Sequence, residues 1–273
     1  IEDVQFLSGG FPARYGDKAS SVLNITVRQG DRNVDFVSKS GFSMAGIGGL
    51  VEGRIGDRGS YIVSARNSLL EFVDKLVGLG TISLTAVPRY WDAQAKVVYD
   101  LSSTQSLIFN GLYGDSRITF DGTPDEQDAL RAGRIDTSGV ERLDPVTKQY
   151  AVGLSLRSLH GKSGFSTVTL YANGTASDVE VFNDTYRRVY DAAGNVTAYD
   201  RLTTQRFYSN RANEQFAAIK AEWFTQIHPR HELSVGASAG TSTHWSNDVF
   251  VAADTLRYDL DRNGQFETGP MLR

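Results

Sequence analysis

The stretch Tyr90-Trp91-Asp92-Ala93-Gln94-Ala95-Lys96-Val97-Val98-Tyr99-Asp100-Leu101 alternates with a period of two. Trp91, Ala93, Ala95, Val97, Tyr99 and Leu101 fall on one side of an extended chain. Asp92, Gln94, Lys96 and Asp100 fall on the other, with Val98 the exception. That period belongs to a β-strand with one apolar and one polar face. The run is longer than the roughly 5–6 residues usual for a strand of a globular sheet.

The pattern recurs along the chain. Ala217, Ile219, Ala221, Trp223 and Ile227 share a face against Lys220, Glu222 and Gln226. Leu233, Val235, Ala237 and Ala239 alternate with small residues, and so do Tyr150, Val152, Leu154 and Leu156. The segments Lys148–Leu159, Gly164–Val179, Arg206–Gln226 and Glu232–Val249 reach the roughly 9–11 residues that a tilted strand needs to cross a bilayer. Strands are predicted near 34–45, 47–56, 59–67, 89–101, 105–118, 148–159, 164–180, 205–226 and 231–248.

Connections between these strands alternate in length. Gly56-Asp57-Arg58, Ser102-Ser103-Thr104, Gly161-Lys162-Ser163 and His228-Pro229-Arg230 are short. Ser68–Arg89, Phe120–Thr147, Phe182–Thr204 and the chain after Phe250 are long. Short turns at one rim and long loops at the other are the pattern of an outer-membrane barrel. The long connection after Ser68 carries a capping box, Ser68 to Glu71, and an apolar stripe of Leu69, Phe72, Val73, Leu76 and Val77. It predicts a short helix ending near Gly78.

Composition supports the same class. The 273 residues include 27 Gly and 6 Pro, with 12 Tyr, 14 Phe and 3 Trp, a usage suited to many strands and turns. The net charge of −4 makes no electrostatic case for nucleic acid. The absence of cysteine excludes disulfides, thiolate metal sites and cysteine nucleophiles. No run approaches the roughly 18 apolar residues of a membrane helix. The chain opens at Ile1-Glu2-Asp3-Val4 inside a folded element and stops at Met271-Leu272-Arg273 after a loop, so both ends read as cuts in a longer protein.

Gly9-Gly10-Phe11-Pro12-Ala13-Arg14-Tyr15-Gly16-Asp17, followed by Ser20-Ser21-Val22-Leu23-Asn24-Ile25-Thr26-Val27-Arg28, resembles the end of the plug of TonB-dependent outer-membrane receptors. The variant is similar to receptors of the Bacteroidetes-like group. Val51-Glu52-Gly53-Arg54-Ile55-Gly56, Gly59-Ser60-Tyr61-Ile62-Val63-Ser64-Ala65-Arg66 and Pro88-Arg89-Tyr90-Trp91-Asp92 resemble early barrel strands of that group. The resemblance covers about residues 5–118, and beyond them the strand pattern stands alone. It implies an all-β chain: residues 1–30 as the C-terminal segment of a plug, and 31–273 as about nine strands of a large antiparallel transmembrane β-barrel. Complete barrels of this class have about 22 strands.

The same resemblance implies a Gram-negative outer-membrane transporter, without enzymatic activity, for active uptake of a scarce nutrient such as an iron chelate, cobalamin, a glycan or a peptide. Its implied partners are outer-membrane lipid and TonB, the latter through an N-terminal box outside this sequence. Gly9, Gly10, Tyr15, Gly16, Asn24, Ile25 and Arg28 carry the plug motif. Gly9, Gly10 and Gly16 suit sharp turns and positive φ. Arg14, Lys18 and Arg28 are candidates to pair with the inward carboxylates Glu52 and Asp92. The alternative class is a soluble or surface-displayed all-β binding or adhesion domain. It would bury Trp91, Tyr99, Tyr150 and Trp223 in a core, whereas a barrel would turn them to lipid.

Other motifs carry less. Asp259-Leu260-Asp261-Arg262-Asn263-Gly264-Gln265-Phe266-Glu267 begins like a calcium loop, with oxygen ligands at Asp259, Asp261, Asn263, Gln265 and Glu267. Pro270 stands where a helix–loop–helix calcium site needs Glu, and an Asx-rich turn is the other reading. Gly236-Ala237-Ser238-Ala239-Gly240 fits a nucleophile motif, yet alternation runs straight through it and predicts plain strand.

Overall fold

The computed structural model describes residues 1–10, 12, 15–16, 20–43, 46–70, 86–121, 137–250, 256–258 and 267–269. β1 (Asp3–Leu7) and β2 (Val22–Thr26) form a small antiparallel ribbon. A strap without regular structure leads from β2 toward the main sheet. β3 (Val37–Ser43), β4 (Gly46–Ile55), β5 (Gly59–Ser68), β6 (Ala86–Asp100), β7 (Gln105–Asp121), β8 (Thr137–His160), β9 (Gly164–Tyr190), β10 (Val196–His228) and β11 (His231–Phe250) then form one nine-stranded sheet. Each strand pairs antiparallel with the next in the sequence, so the sheet is a pure meander. β12 (Leu256–Tyr258) and β13 (Glu267–Gly269) make a separate short hairpin. The all-β class and the antiparallel order of about nine long strands are as expected.

The sheet has two unlike faces. One cross-strand ladder runs Ala239, Ile219, Leu170, Leu154, Phe109, Val97 and Tyr61. The next row holds Ala237, Ala221, Val168, Leu156, Leu107 and Tyr99. Polar side chains of Glu52, Arg54, Asp92, Lys96, Asp100, Glu214, Lys220 and Glu222 stand on the other face, where Leu112, Phe216 and Phe224 are apolar exceptions. Among the described residues, Ile62 (8% exposed) and Val98 (3%) are the buried apolar side chains. Both lie on the polar face.

The short turns fall as expected. Gly56 and Gly161 take φ of 54° and 64°, where a Cβ would be strained. Gly9 and Gly10 take positive φ, as sharp turns require. The upper connections differ from the sequence reading. The loop expected over 182–204 is mostly paired strand, closed by a turn at Asp191–Asn195. Part of the loop expected over 120–147 is the start of β8. Pro145 sits where β7–β8 pairing lapses between Arg117↔Val146 and Phe120↔Leu143. A proline lacks the N–H that the ladder needs, so the break is local and the strand resumes beyond it. The helix expected after Ser68 lies largely outside the described residues, and Ser68 itself ends β5.

The turn at the tip of the β9–β10 ribbon is organised by one carboxylate. Asp191 Oδ1 accepts from the backbone N–H of Ala193 (2.9 Å) and of Asn195 (2.8 Å). The Asn195 side-chain amide donates to Oδ2 at 3.1 Å. These donors, the Asn195 backbone first, hold Asp191 below the usual carboxylate range. A depressed pKa stabilises the turn above the ordinary carboxylate value and loses that contribution as pH falls through the folded value. Amide protection at Ala193 and Asn195, corrected for intrinsic exchange, is therefore expected to hold above the ordinary carboxylate range and to fall as the pH drops below it. Asp191→Ala is expected to abolish that pH dependence.

Candidate functional site on the polar face

The strap between β2 and β3 lies against the polar face of β4 to β6. Glu52, on β4, is 2% exposed and gathers the contacts. Arg28 grips it with both terminal nitrogens, Nη1 to Oε2 at 2.5 Å and Nη2 to Oε1 at 2.9 Å. The Asp31 backbone N–H donates to Oε2 at 3.2 Å, and Lys39 Nζ to Oε1 at 3.2 Å. A bidentate guanidinium and two further donors compensate a carboxylate removed from water. The hydrogen bonds from Arg28 to that carboxylate hold the guanidinium pKa above its ordinary value.

Further contacts extend along the strap. Lys96 Nζ donates to the Val27 carbonyl oxygen. Arg32 Nη1 lies 2.5 Å from Asp100 Oδ2, whose other oxygen accepts from Ser106 Oγ at 2.7 Å. The Arg54 backbone N–H donates to Val34 O at 2.9 Å, and the Arg54 side chain pairs with Asp35. Gly30 is buried, and a Cβ placed there would come within 2.1 Å of the Tyr61 backbone oxygen. Only glycine permits so close an approach of strap to wall.

The expected site residues are distributed as follows. Arg28 and Glu52 are brought together. Asp92 is not a partner of the strap: Arg66, on the neighbouring strand, binds it through Nε at 2.5 Å. Arg14 and Lys18 lie outside the described residues. Asn24 donates to the Gln5 side chain at 3.5 Å across the β1–β2 ribbon, whose Val4 pairs with Ile25. Tyr15 N–H closes a turn on the Pro12 carbonyl at 3.0 Å. Asp259, Asp261, Asn263 and Gln265 lie outside the described residues, and Glu267 opens β13. Ser238 sits mid-strand opposite Lys220, with no strand-to-helix elbow.

Sequence reading missed Lys39, Lys96, Arg32, Asp35, Asp100 and Gly30. It began the first wall strand at residue 34 and so overlooked a strap reaching Asp35. Alternation already placed Lys96 and Asp100 on the same face as Asp92, and that was the available signal. Glu52→Ala, which leaves Arg28, Lys39 and the Asp31 amide without their acceptor, is expected to expose the strap to trypsin. Cleavage after Arg28 and Arg32 should rise by about tenfold. Gly30→Val should do the same with every charge intact, because the added carbons collide with the β5 backbone.

No family model matches the chain, and no curated protein matches it. Among solved structures it is similar to the siderophore receptor PiuA from Acinetobacter baumannii, at 8% identity and a TM-score of 0.33, over 87% of this chain and 43% of that one. It is similar to BauA, the ferric preacinetobactin receptor of the same organism, at 9% identity and a TM-score of 0.38, over 92% and 52%. It is also similar to a mutant of the ferric enterobactin receptor PfeA from Pseudomonas aeruginosa, at 14% identity and a TM-score of 0.28, over 86% and 44%. The chain thus spans about half the length of these solved structures.

Proposed function

We propose that this chain is the end of a plug and the first nine strands of the wall of a TonB-dependent outer-membrane transporter. The observation that carries the reading is the two-faced sheet. Trp91 (44% exposed), Trp223 (45%) and Trp245 (55%) stand on the apolar face with no core over them. Tyr99 is exposed and Tyr150 half-buried on the same face. A soluble binding domain would bury these rings, and such a domain rarely leaves so large an apolar surface open.

The dimensions fit a bilayer. A continuous row joins Trp91, Asp115, Lys148, Ala176, Asn213 and Trp245. Tyr113 and Tyr150 pair directly in the row below it. Ten residues further down β10 stands Trp223. At about 3.3 Å per residue and a tilt of about 40°, the two aromatic borders lie about 25 Å apart. The other face is wet and charged, and it holds the strap by ion pairs as a barrel lumen would hold a plug. The motif Ser21-Val22-Leu23-Asn24-Ile25 supports the Bacteroidetes-like placement, with residues 1–30 assigned to the plug and 31–273 to the barrel. Active uptake, TonB as partner and a scarce nutrient as substrate follow from that assignment.

Fractionation of cells expressing the full-length parent tests the reading. The protein is expected in the outer membrane, with a compact band that shifts on boiling. A soluble parent without the shift overturns the proposal and favours an adhesion domain. Leu170→Arg, on the apolar face, is expected to cost about 2–4 kcal/mol in a bilayer and to weaken the compact band. In a soluble protein the same change at this exposed position would be nearly neutral.

A further inference from the structure

Near its upper rim, on the side of the long connections, the polar face of the sheet changes character. One cross-strand row on β7 to β11 reads Phe120, Leu143, Val181, Tyr208 and Phe250. Phe120 and Phe250 are exposed, and the three between them are half-buried. The Tyr208 and Phe250 rings lie 4.9 Å apart at an interplanar angle of 45°. Five neighbouring strands spaced by about 4.8 Å make this apolar shelf about 19 Å long. Tyr208 precedes Asn213 of the Trp91–Trp245 row by five residues. At a strand tilt of about 40°, the shelf stands about 13 Å beyond that aromatic border.

Polar groups run along the lower edge of the shelf. The next row holds Pro145, Val179, Asn210 and Asp248. Asp248 Oδ1 accepts from the Tyr208 hydroxyl at 2.9 Å and from Asn210 Nδ2 at 2.7 Å. These donors, Asn210 first, hold the Asp248 carboxyl below its usual range, so it remains an acceptor. Its Oδ2 receives a long contact from Ser246 Oγ, at 3.5 Å. The row below is a line of hydroxyls, Ser116, Thr147, Ser177 and, past Ala212, Ser246. Among the described residues, these three rows carry no lysine or arginine between β7 and β11.

That composition selects a ligand chemistry. An anion would find no countercharge on the shelf. A compact cation would meet one carboxylate already engaged by two donors. A wholly apolar molecule would leave Asp248 and the hydroxyls without partners. A sugar chain meets both demands, because its C–H faces pack on aromatic rings and its hydroxyls both donate and accept. We propose that the Phe120–Phe250 shelf and the Asp248 network form a contact site for an uncharged oligosaccharide at the outer mouth of the barrel. The inference rests on the transporter reading and names the substrate class of that transporter.

The test uses the full-length parent purified in mild detergent and an array of linear oligosaccharides of glucose, mannose, galactose and xylose. Uronic-acid oligomers supply the anionic comparison. The wild type is expected to bind an uncharged member with an affinity that does not change with salt. Tyr208→Ala with Phe120→Ala should weaken that binding by about tenfold while the heat-dependent band shift persists. Tyr208→Phe, which keeps the ring, should weaken it less. Arg157→Gln, on the polar face near the short turns, should leave it unchanged. Binding to no uncharged member overturns the proposal, as does a preference for uronic-acid oligomers that falls with salt. Equal loss in Tyr208→Phe and in the double variant overturns the shelf, and so does equal loss in Arg157→Gln. If outer-membrane location and band shift hold while no uncharged member binds, this inference fails alone. If location and shift are both absent, the transporter reading fails with it.

Discussion

The ladder that sets Ile219, Leu170, Leu154, Phe109 and Val97 side by side depends on register, and every other property of the sheet follows from it. A slip of one residue in β10 would exchange Ile219 and Ala221 for Lys220 and Glu222. It would put charge among the apolar side chains and apolar side chains in the charged face. The short turns prevent the slip. Gly56 and Gly161 adopt left-handed φ, which closes each hairpin at one length and so fixes the pairing above it. Against β9, irregular pairing within β10 begins at Arg206/Tyr208 and continues upward to Val196/Ala198, above the aromatic rows.

Register also makes the strap possible. Because Glu52, Lys96 and Asp100 all point to one side, a single extended segment can meet the three of them with Arg28, the Val27 carbonyl and Arg32. The adhesion is polar and glycine-tight, with little apolar burial: Ile62 and Val98 are the buried apolar side chains there among the described residues. Such contacts are specific in geometry, yet water and competing charges can replace them one by one. An apolar seam would have to be broken as a unit. The strap is therefore held to the wall chiefly by polar contacts.

The sheet was legible in the sequence because its signal is local. Alternation in Tyr90–Leu101 and Ala217–Ile227 identifies faces without knowledge of any partner strand. The Arg28–Glu52 pair was legible only through the resemblance, since nothing local joins residues 24 apart. Lys39, Lys96, Arg32 and Asp35 were not recognised as partners, because ion pairs across a wide polar face leave no periodic trace. The upper ribbon was misread for another reason. Thr185-Tyr186-Arg187-Arg188-Val189-Tyr190 and Val196-Thr197-Ala198-Tyr199 are good strand sequences by β-branched and aromatic content. They lack a clean polar–apolar alternation, so they were taken as loop. Alternation reports unequal faces and says nothing where the pattern lapses.

A second lapse of the pattern concerns side-chain character within one continuous strand. Along β9 the apolar face holds Val168, Leu170 and Ala172, then Gly174 and Ala176, then Asp178 and Glu180. Hydrogen bonding does not change across this boundary, and the ladder with β8 and β10 runs on unbroken. The backbone therefore gives no reason for the switch from apolar to charged, which lies in the side chains alone. Gly174 marks the crossing, where the Tyr150 ring lies over the missing Cβ. Above that ring the carboxylates Asp178 and Glu180 find Arg211 and Arg206. Under the transporter reading proposed above, the same strand would meet two solvents in succession, with the aromatic row as the line between them.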